Sequence, residues 1–92
     1  MTQNPSDIDC WRRRLTYRSW HRGTKELDLL FGPFADALIA DFDEVELDQF
    51  DKLLLAPDPD VYDWIIGRAA PDIEYDTPVL VKIIAFHDQR HA

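Results

Sequence analysis

The three histidines are the side chains here with the widest chemical range, since imidazole can bind a metal or transfer a proton. His21 stands alone, whereas His87 and His91 are four residues apart and would share one face of a helix. Asp88 is the single carboxylate beside that pair, near the C-terminal end of the sequence. Because a stable metal site needs more ligands, we expect solvated histidines and predict no metal site.

Two acidic stretches suggest calcium at first sight, because carboxylate oxygens are the ligands that calcium prefers. Both lack the central glycine and the closing bidentate glutamate of a calcium-binding loop. Helix caps and solvated helix faces explain these stretches better than a cation site does. Their members are Asp41, Asp43, Glu44 and Glu46 in the first stretch, and Asp58, Asp60 and Asp63 in the second.

The signatures of common enzyme classes are absent from the sequence. The three glycines, Gly23, Gly32 and Gly67, are too far apart for a phosphate-binding loop or a dinucleotide fingerprint. No serine lies in a nucleophile elbow. The residues therefore indicate none of these catalytic sites.

The segment from Arg22 to Asp28 is the most informative part of the chain, and each of its residues has a structural explanation. Gly23 suits a left-handed turn or a helix N-cap. With Gly23 as the N-cap, Glu26 would reach back to a backbone N–H, and Asp28 would lie in the positively polarised first turn. Arg22 would sit, exposed, beside the carbonyl end of the preceding helix. The residues alone favour these structural roles.

The spacing of apolar residues and of turn signals predicts five helices in a small all-α bundle, which forms a single domain over residues 1–92. The first helix is expected at Ser6–Trp20 with Ser6 as N-cap, and the second is expected to begin at Thr24 and to kink or break at Gly32-Pro33. The third is expected from Asp43 to before Pro57. The fourth is expected at Pro59–Ile66 with Asp58 as N-cap, and the fifth from Thr77 through His87. Residues 1–5 are expected to be disordered. In the first helix, Ser19 or Arg18 is expected to complete the inward face. The apolar residues of the predicted inward faces are Ile8, Trp11, Leu15, Leu27, Leu30, Phe31, Phe34, Leu38, Leu47, Phe50, Leu53, Leu54, Val61, Trp64, Ile65, Val79, Leu80, Ile83 and Ile84.

Composition supports a small globular domain, since 46% of the 92 residues are hydrophobic and 30% are charged. One cysteine, Cys10, allows no internal disulfide, and no apolar run is long enough to span a membrane. The polar first nine residues contain neither a signal core nor an Arg-rich presequence, so we expect a cytoplasmic protein without membrane insertion.

Charge is distributed unevenly along the chain. Residues 1–25 contain six basic and two acidic residues, whereas residues 26–92 contain four basic and sixteen acidic residues. The basic segment is either a docking face or a set of arginines that pair with the acidic remainder. Nucleic acid is a poor partner for a chain of net charge −8. A small helical nucleic-acid-binding regulator that uses the run Arg12-Arg13-Arg14 is the alternative function, and an aromatic flavin-binding protein is a third.

The pattern Arg22-Gly23-x-x-Glu26-x-Asp28 at a helix–helix junction resembles the succinate dehydrogenase flavinylation factors, the assembly-factor-2 type. The similarity extends over about residues 10–90. It includes Tyr17-Arg18-Ser19-Trp20-His21, Leu27-Asp28-Leu29-Leu30, Leu53-Leu54, and the run from Pro57 to Gly67. Gly32-Pro33 and the first nine residues are not part of the pattern.

The resemblance implies a five-helix assembly chaperone that binds the flavoprotein subunit of succinate dehydrogenase. In some bacteria the partner is the flavoprotein subunit of fumarate reductase. The chaperone promotes covalent attachment of FAD to a histidine of the flavoprotein. Such a factor is not an enzyme and has no catalytic residues of its own. FAD then belongs to the partner, and the factor binds no cofactor stably and is expected to be a monomer. Arg22, Gly23 and Glu26 are implied as the functional motif, with Asp28 as a weaker addition. Contact with a partner requires Arg22 and Glu26 to be exposed.

Overall fold

The computed structural model describes residues 5–91, and this part of the chain contains five α-helices and no β-strand. The helices are α1 (Pro5–Ser19), α2 (Lys25–Leu38), α3 (Glu44–Leu54), α4 (Asp58–Ile65) and α5 (Pro78–His91). Short 3₁₀ turns at Ile39–Asp41 and Ile73–Tyr75 lie in the connections after α2 and before α5. The predicted all-α bundle is confirmed.

Helix α1 begins one residue before its predicted start. Since Pro5 lies in its first turn, Ser6 is inside the helix and is not its N-cap as predicted. The expected disorder of residues 1–5 concerns residues outside the described range, except for Pro5. The inward face is as predicted, because Leu15 and Ser19 are fully buried and the Ser19 hydroxyl donates to the Leu15 carbonyl at 2.7 Å.

Helix α2 is continuous through Pro33, so the predicted break is wrong. Proline removes one backbone hydrogen bond from a helix, a cost that tertiary packing can offset. The residues on either side of Pro33 are buried, with Phe31 and Phe34 fully enclosed in the core. Burial of these rings keeps the segment helical.

The cap signals place the beginnings of α3 and α5 correctly and that of α4 within one residue. Asp43 and Glu46 form the predicted capping box of α3, with bonds of 2.9 and 3.1 Å to each other's backbone N–H groups. The Thr77 hydroxyl accepts from the Leu80 N–H ahead of α5. In α4, Pro57 is the N-cap, so the prediction of Asp58 as N-cap is wrong by one residue.

The core is built around phenylalanine rings from three helices and one connection. Phe34 meets Phe50 and Phe86 edge to face, with ring centroids 5.6 and 5.7 Å apart. Phe42, which was not assigned to a predicted face, is 2% exposed and packs against Phe34 and Phe50. The core thus lies between α2, α3 and α5, and α1 packs against α2 and α3.

His87 lies on the inner face of α5 and is 7% exposed, so the expectation of a solvated histidine is wrong for this residue. Its Nε2–H donates to the Leu30 carbonyl at 2.7 Å, so this nitrogen has a structural role. The side chain of His91 is outside the described set. Among the described residues, no cluster of histidine, cysteine or carboxylate side chains could hold a metal ion. No described helix is both long and apolar enough to cross a membrane.

Candidate functional site

The junction between α1 and α2 is a tight turn with one left-handed residue. Gly23 has φ of +102°, a conformation that residues with a Cβ adopt only with strain. Thr24 is the N-cap of α2, and its hydroxyl accepts from the Leu27 N–H at 3.4 Å. Gly23 is therefore not the N-cap. Glu26 is at the second helical position, and the predicted capping bond from Glu26 is not formed.

Asp28 fixes the shape of this junction. One of its carboxylate oxygens accepts the backbone N–H of Arg22 at 2.6 Å. Sequence reasoning placed Asp28 in the first turn of α2, where a negative charge is favourable, and the structure confirms that position. The sequence did not indicate the hydrogen bond between Asp28 and Arg22, because these residues lie on opposite sides of the left-handed turn.

The guanidinium of Arg22 faces inward, and the prediction that it would be exposed is wrong. Its side chain is 10% exposed and lies 2.7 Å from Asp58 Oδ1 in the first turn of α4. It also donates to the Ala56 carbonyl at 3.4 Å, and its central carbon lies 5.3 Å from the ring centre of Phe31. Arg22 therefore connects the junction to α4 and to the core.

One nitrogen of this arginine is unpaired. The Nε atom of Arg22 is buried and has no hydrogen-bond partner in the described structure. A buried, unsatisfied donor is costly. The remaining contacts of the guanidinium, a charge-assisted hydrogen bond and an aromatic face, must offset this cost.

Gly23 and Glu26 form the outward surface of the motif. A Cβ built on Gly23 would meet no atom within 4 Å, so the space beside this residue is open. Glu26 is exposed, and none of the hydrogen bonds or ion pairs among the described residues involves its carboxylate. The structure thus confirms the predicted exposure of Glu26, and it leaves a charged group and a side-chain-free backbone accessible at the same junction.

An exposed aromatic pair borders the junction on the α1 side. The Tyr17 and His21 rings stack with centroids 4.0 Å apart and planes 16° from parallel, and Tyr17 is 65% exposed. His21 Nδ1–H donates to the Tyr17 carbonyl at 2.7 Å. The sequence analysis assigned no role to this pair. Tyr17 belongs to the last turn of α1 and His21 lies two residues beyond its end, but their spacing of four residues is the one that brings side chains together on a helix.

On the other side of the junction, a groove of about 380 Å³ separates the beginning of α2 from α4. Its walls contain both apolar and acidic side chains. The lining residues are Thr24, Glu26, Leu27, Asp58, Pro59, Tyr62 and Asp63. The motif and this groove together form one continuous candidate surface, which suits the binding of a partner.

Comparison with known proteins agrees with the resemblance found in the sequence. The family described as "flavinator of succinate dehydrogenase" (Sdh5) matches residues 13–87. The chain is 40% identical over 82 residues to the mitochondrial succinate dehydrogenase assembly factor 2 of Dictyostelium discoideum, covering 89% of this chain and 57% of that protein.

Two further relatives come from a bacterium and a yeast. The FAD assembly factor SdhE of Acetobacter pasteurianus is 40% identical over 73 residues, which cover 79% of this chain and 67% of that protein. The mitochondrial succinate dehydrogenase assembly factor 2 of Debaryomyces hansenii is 49% identical over 57 residues, 62% of this chain and 40% of that protein. The chain thus spans between two fifths and two thirds of these relatives' lengths. Since the family match includes the whole junction and all of α4, this chain belongs to the succinate dehydrogenase flavinator family.

Proposed function

We propose that this chain binds the flavoprotein subunit of succinate dehydrogenase and promotes the covalent attachment of FAD to it. The observation that carries the proposal is the hydrogen-bonded junction between α1 and α2, at which Gly23 and Glu26 are exposed while Arg22 and Asp28 make the contacts behind them. The family match and the bacterial relative named FAD assembly factor SdhE support this assignment.

The junction acts by restraining geometry. Holding two reacting groups in a productive arrangement can lower a barrier by several kcal/mol, up to ~7–11 kcal/mol in ideal cases. Gly23 lets the partner's surface approach the backbone, because no side chain intervenes. Glu26 offers a carboxylate to a cation or a hydrogen-bond donor of the partner. No chemical group of the factor needs to enter the reaction, so it acts as an assembly factor rather than as an enzyme.

Arg22 has a supporting role in this mechanism. Because its guanidinium is held by Asp58 and the Phe31 ring, it positions the turn that presents Gly23. Arg22 thus supports the contact with the partner from behind, instead of touching the partner itself. A rigid turn lowers the conformational entropy that binding would otherwise remove.

Four finer parts of the proposal concern the setting. FAD is held by the flavoprotein and not stably by this chain, the chain acts as a monomer, and the flavoprotein of fumarate reductase is a second client. As the Acetobacter relative is bacterial, we propose that the encounter takes place in a bacterial cytoplasm.

The test compares two glycines of matched conformation. Gly23 and Gly67 have φ of +102° and +84°, and each has open space where a Cβ would be. Alanine at either position should lower the free energy of unfolding by about 1–2 kcal/mol, since both require the left-handed region. Only Gly23→Ala should slow covalent flavin attachment, by about tenfold or more, if its Cβ holds the partner away from the junction.

The assay mixes the purified apo-flavoprotein subunit, FAD and each variant, and follows covalent flavin by fluorescence of the denatured subunit. Urea unfolding of both variants provides the control for stability. Equal flavinylation rates for Gly23→Ala and Gly67→Ala would remove the motif from the mechanism. A wild-type chain that gives no acceleration would refute the proposed function itself.

A further inference from the structure

The groove between α2 and α4 contains carboxylates that are not fully neutralised by basic side chains of this chain. Glu26, Asp58 and Asp63 are among its lining residues, and no lysine, arginine or histidine lines it. Asp58 is paired with Arg22, but Glu26 has no ion-pair partner among the described residues. Asp63 lies 3.8 Å from Arg68, whose side chain is 72% exposed. Such a long, exposed contact contributes little. Two carboxylates are therefore available to an incoming cation.

The other walls of the groove suit the stem of a long side chain. Leu27 is buried below the groove, and Pro59 and the half-buried ring of Tyr62 come from α4. Lysine and arginine place their methylene groups along apolar surface while their charged ends reach polar groups. A cation over the face of Tyr62 would gain further electrostatic attraction from the ring. An open groove lined by both apolar residues and carboxylates is complementary to such a side chain.

We propose that this groove receives a basic side chain, lysine or arginine, of the flavoprotein subunit, with Asp63 and Glu26 binding the charged end and Tyr62 contacting the stem. The inference rests on the proposed function for the identity of the partner. It adds to that function a second contact on α4, outside the junction. The exposed Gly23 and the groove would thus hold the partner at two neighbouring points, which fixes orientation better than one contact does.

Asp63→Asn tests the ion pair, and Asp60→Asn provides a matched control. Both aspartates belong to α4 and both substitutions remove one negative charge, but Asp60 does not line the groove. Binding of each variant to the purified apo-flavoprotein subunit is measured by calorimetry at two salt concentrations. We expect Asp63→Asn to weaken binding about fivefold and Asp60→Asn to change it less than twofold, since only a close charge pair contributes specifically.

Tyr62 provides a second test that does not depend on charge. Tyr62→Phe keeps the aromatic face and should bind within twofold of the wild type, whereas Tyr62→Leu removes it and should weaken binding about threefold or more. Thermal unfolding shows whether Tyr62→Leu remains folded, and if it does not, the aspartate comparison alone decides.

The outcomes separate the two levels of inference. If the wild-type chain binds and accelerates flavin attachment, but Asp63→Asn and Asp60→Asn bind equally, the groove does not receive a basic side chain and the proposed function stands. If the wild-type chain does not bind the subunit, the proposed function fails, and the groove inference fails with it.

Discussion

At the scale of single residues, the ion pair between Arg22 and Asp58 determines how the candidate site is supported. The arginine side chain is 10% exposed and the aspartate side chain is 42% exposed, so solvent screens one side of the pair. Removing Arg22 also removes its contact with the Phe31 ring and its hydrogen bond to the Ala56 carbonyl. The arginine should therefore contribute more to stability than its partner does.

A double-mutant cycle would measure this pair. We expect Arg22→Gln to lower the free energy of unfolding by about 2 kcal/mol and Asp58→Asn to lower it by about 1 kcal/mol. In the Arg22→Gln background, Asp58→Asn should cost almost nothing, which gives a coupling energy of about 1 kcal/mol. Urea unfolding of the four proteins provides the numbers. Additive effects of the two substitutions would show that the pair does not connect the junction to α4.

At the scale of helices, a glycine permits the close approach of the end of α1 to α2. The six-membered ring of Trp20 lies against Gly32, where a Cβ would be only 2.4 Å from the Trp20 Cδ2 atom. The Trp20 indole N–H is directed at the Asp36 carboxylate, 3.2 Å away. Gly32 was expected to disturb the helix together with Pro33, but its function in the fold is to accommodate the indole.

The effect of Gly32→Ala on the free energy of unfolding should therefore change sign when Trp20 is removed. In the wild type it should lower the free energy of unfolding by about 1–3 kcal/mol, because the indole must move. In a Trp20→Ala background the same substitution should raise that free energy by about 0.5–1 kcal/mol, since alanine is a better helix former than glycine. Urea unfolding checks both values. A stabilising effect in both backgrounds would contradict the close packing described here.

Helices α3 and α5 are linked by one carboxylate with two functions. Glu46 accepts from the Asp43 N–H in the capping box and also binds the Lys82 ammonium of α5. The hydrogen bond from Lys82, followed by that from the Asp43 backbone, lowers the pKa of Glu46 below its ordinary value of 4.5. Both donors favour the ionised form.

The stability contributed by this group is present above the unfolded pKa near 4.5 and is lost as the pH falls through the lower folded pKa. We expect wild type to be more stable than Glu46→Gln at neutral pH and the difference to shrink as the pH is lowered from about 6 to about 3. Glu44→Gln, a neighbouring exposed glutamate in the first turn of α3, provides the control. A wild-type advantage that is constant with pH would contradict this assignment.

At the scale of the whole molecule, the sequence predicted what local rules determine. Helix number, most helix boundaries and the inward faces follow from caps and spacing within a few residues. The contacts that define the candidate site are long-range, as Arg22 and Asp58 are 36 residues apart. No local rule shows that the first turn of α4 comes to lie beside the junction. The burial of Arg22 could therefore not be predicted, whereas the left-handed conformation of Gly23 could.

The three-dimensional structure shows that half of the basic residues in the N-terminal segment pair with the rest of the chain. Arg12 donates to the carbonyls of Ile39 and Phe42, and Arg18 pairs with Asp51 at 2.9 Å. Together with Arg22, three of the six N-terminal cations are thus engaged by the rest of the chain. Pairing with the body of the protein accounts for these three residues, whereas Arg13, Arg14 and Lys25 remain exposed.

This arrangement predicts that the alternative function, nucleic-acid binding, will not be observed. Within the run Arg12-Arg13-Arg14, only Arg13 and Arg14 are exposed, and the net charge of the chain is −8. Two exposed arginines release too few counterions to overcome repulsion between an acidic protein and phosphates. We expect no binding of duplex DNA or RNA in fluorescence anisotropy at low salt, about 50 mM. The double variant Arg13→Gln/Arg14→Gln should likewise not bind nucleic acid, and its rate of flavin attachment should equal that of the wild type. If the wild type instead shows salt-sensitive binding that disappears in this variant, the nucleic-acid-binding function would be favoured.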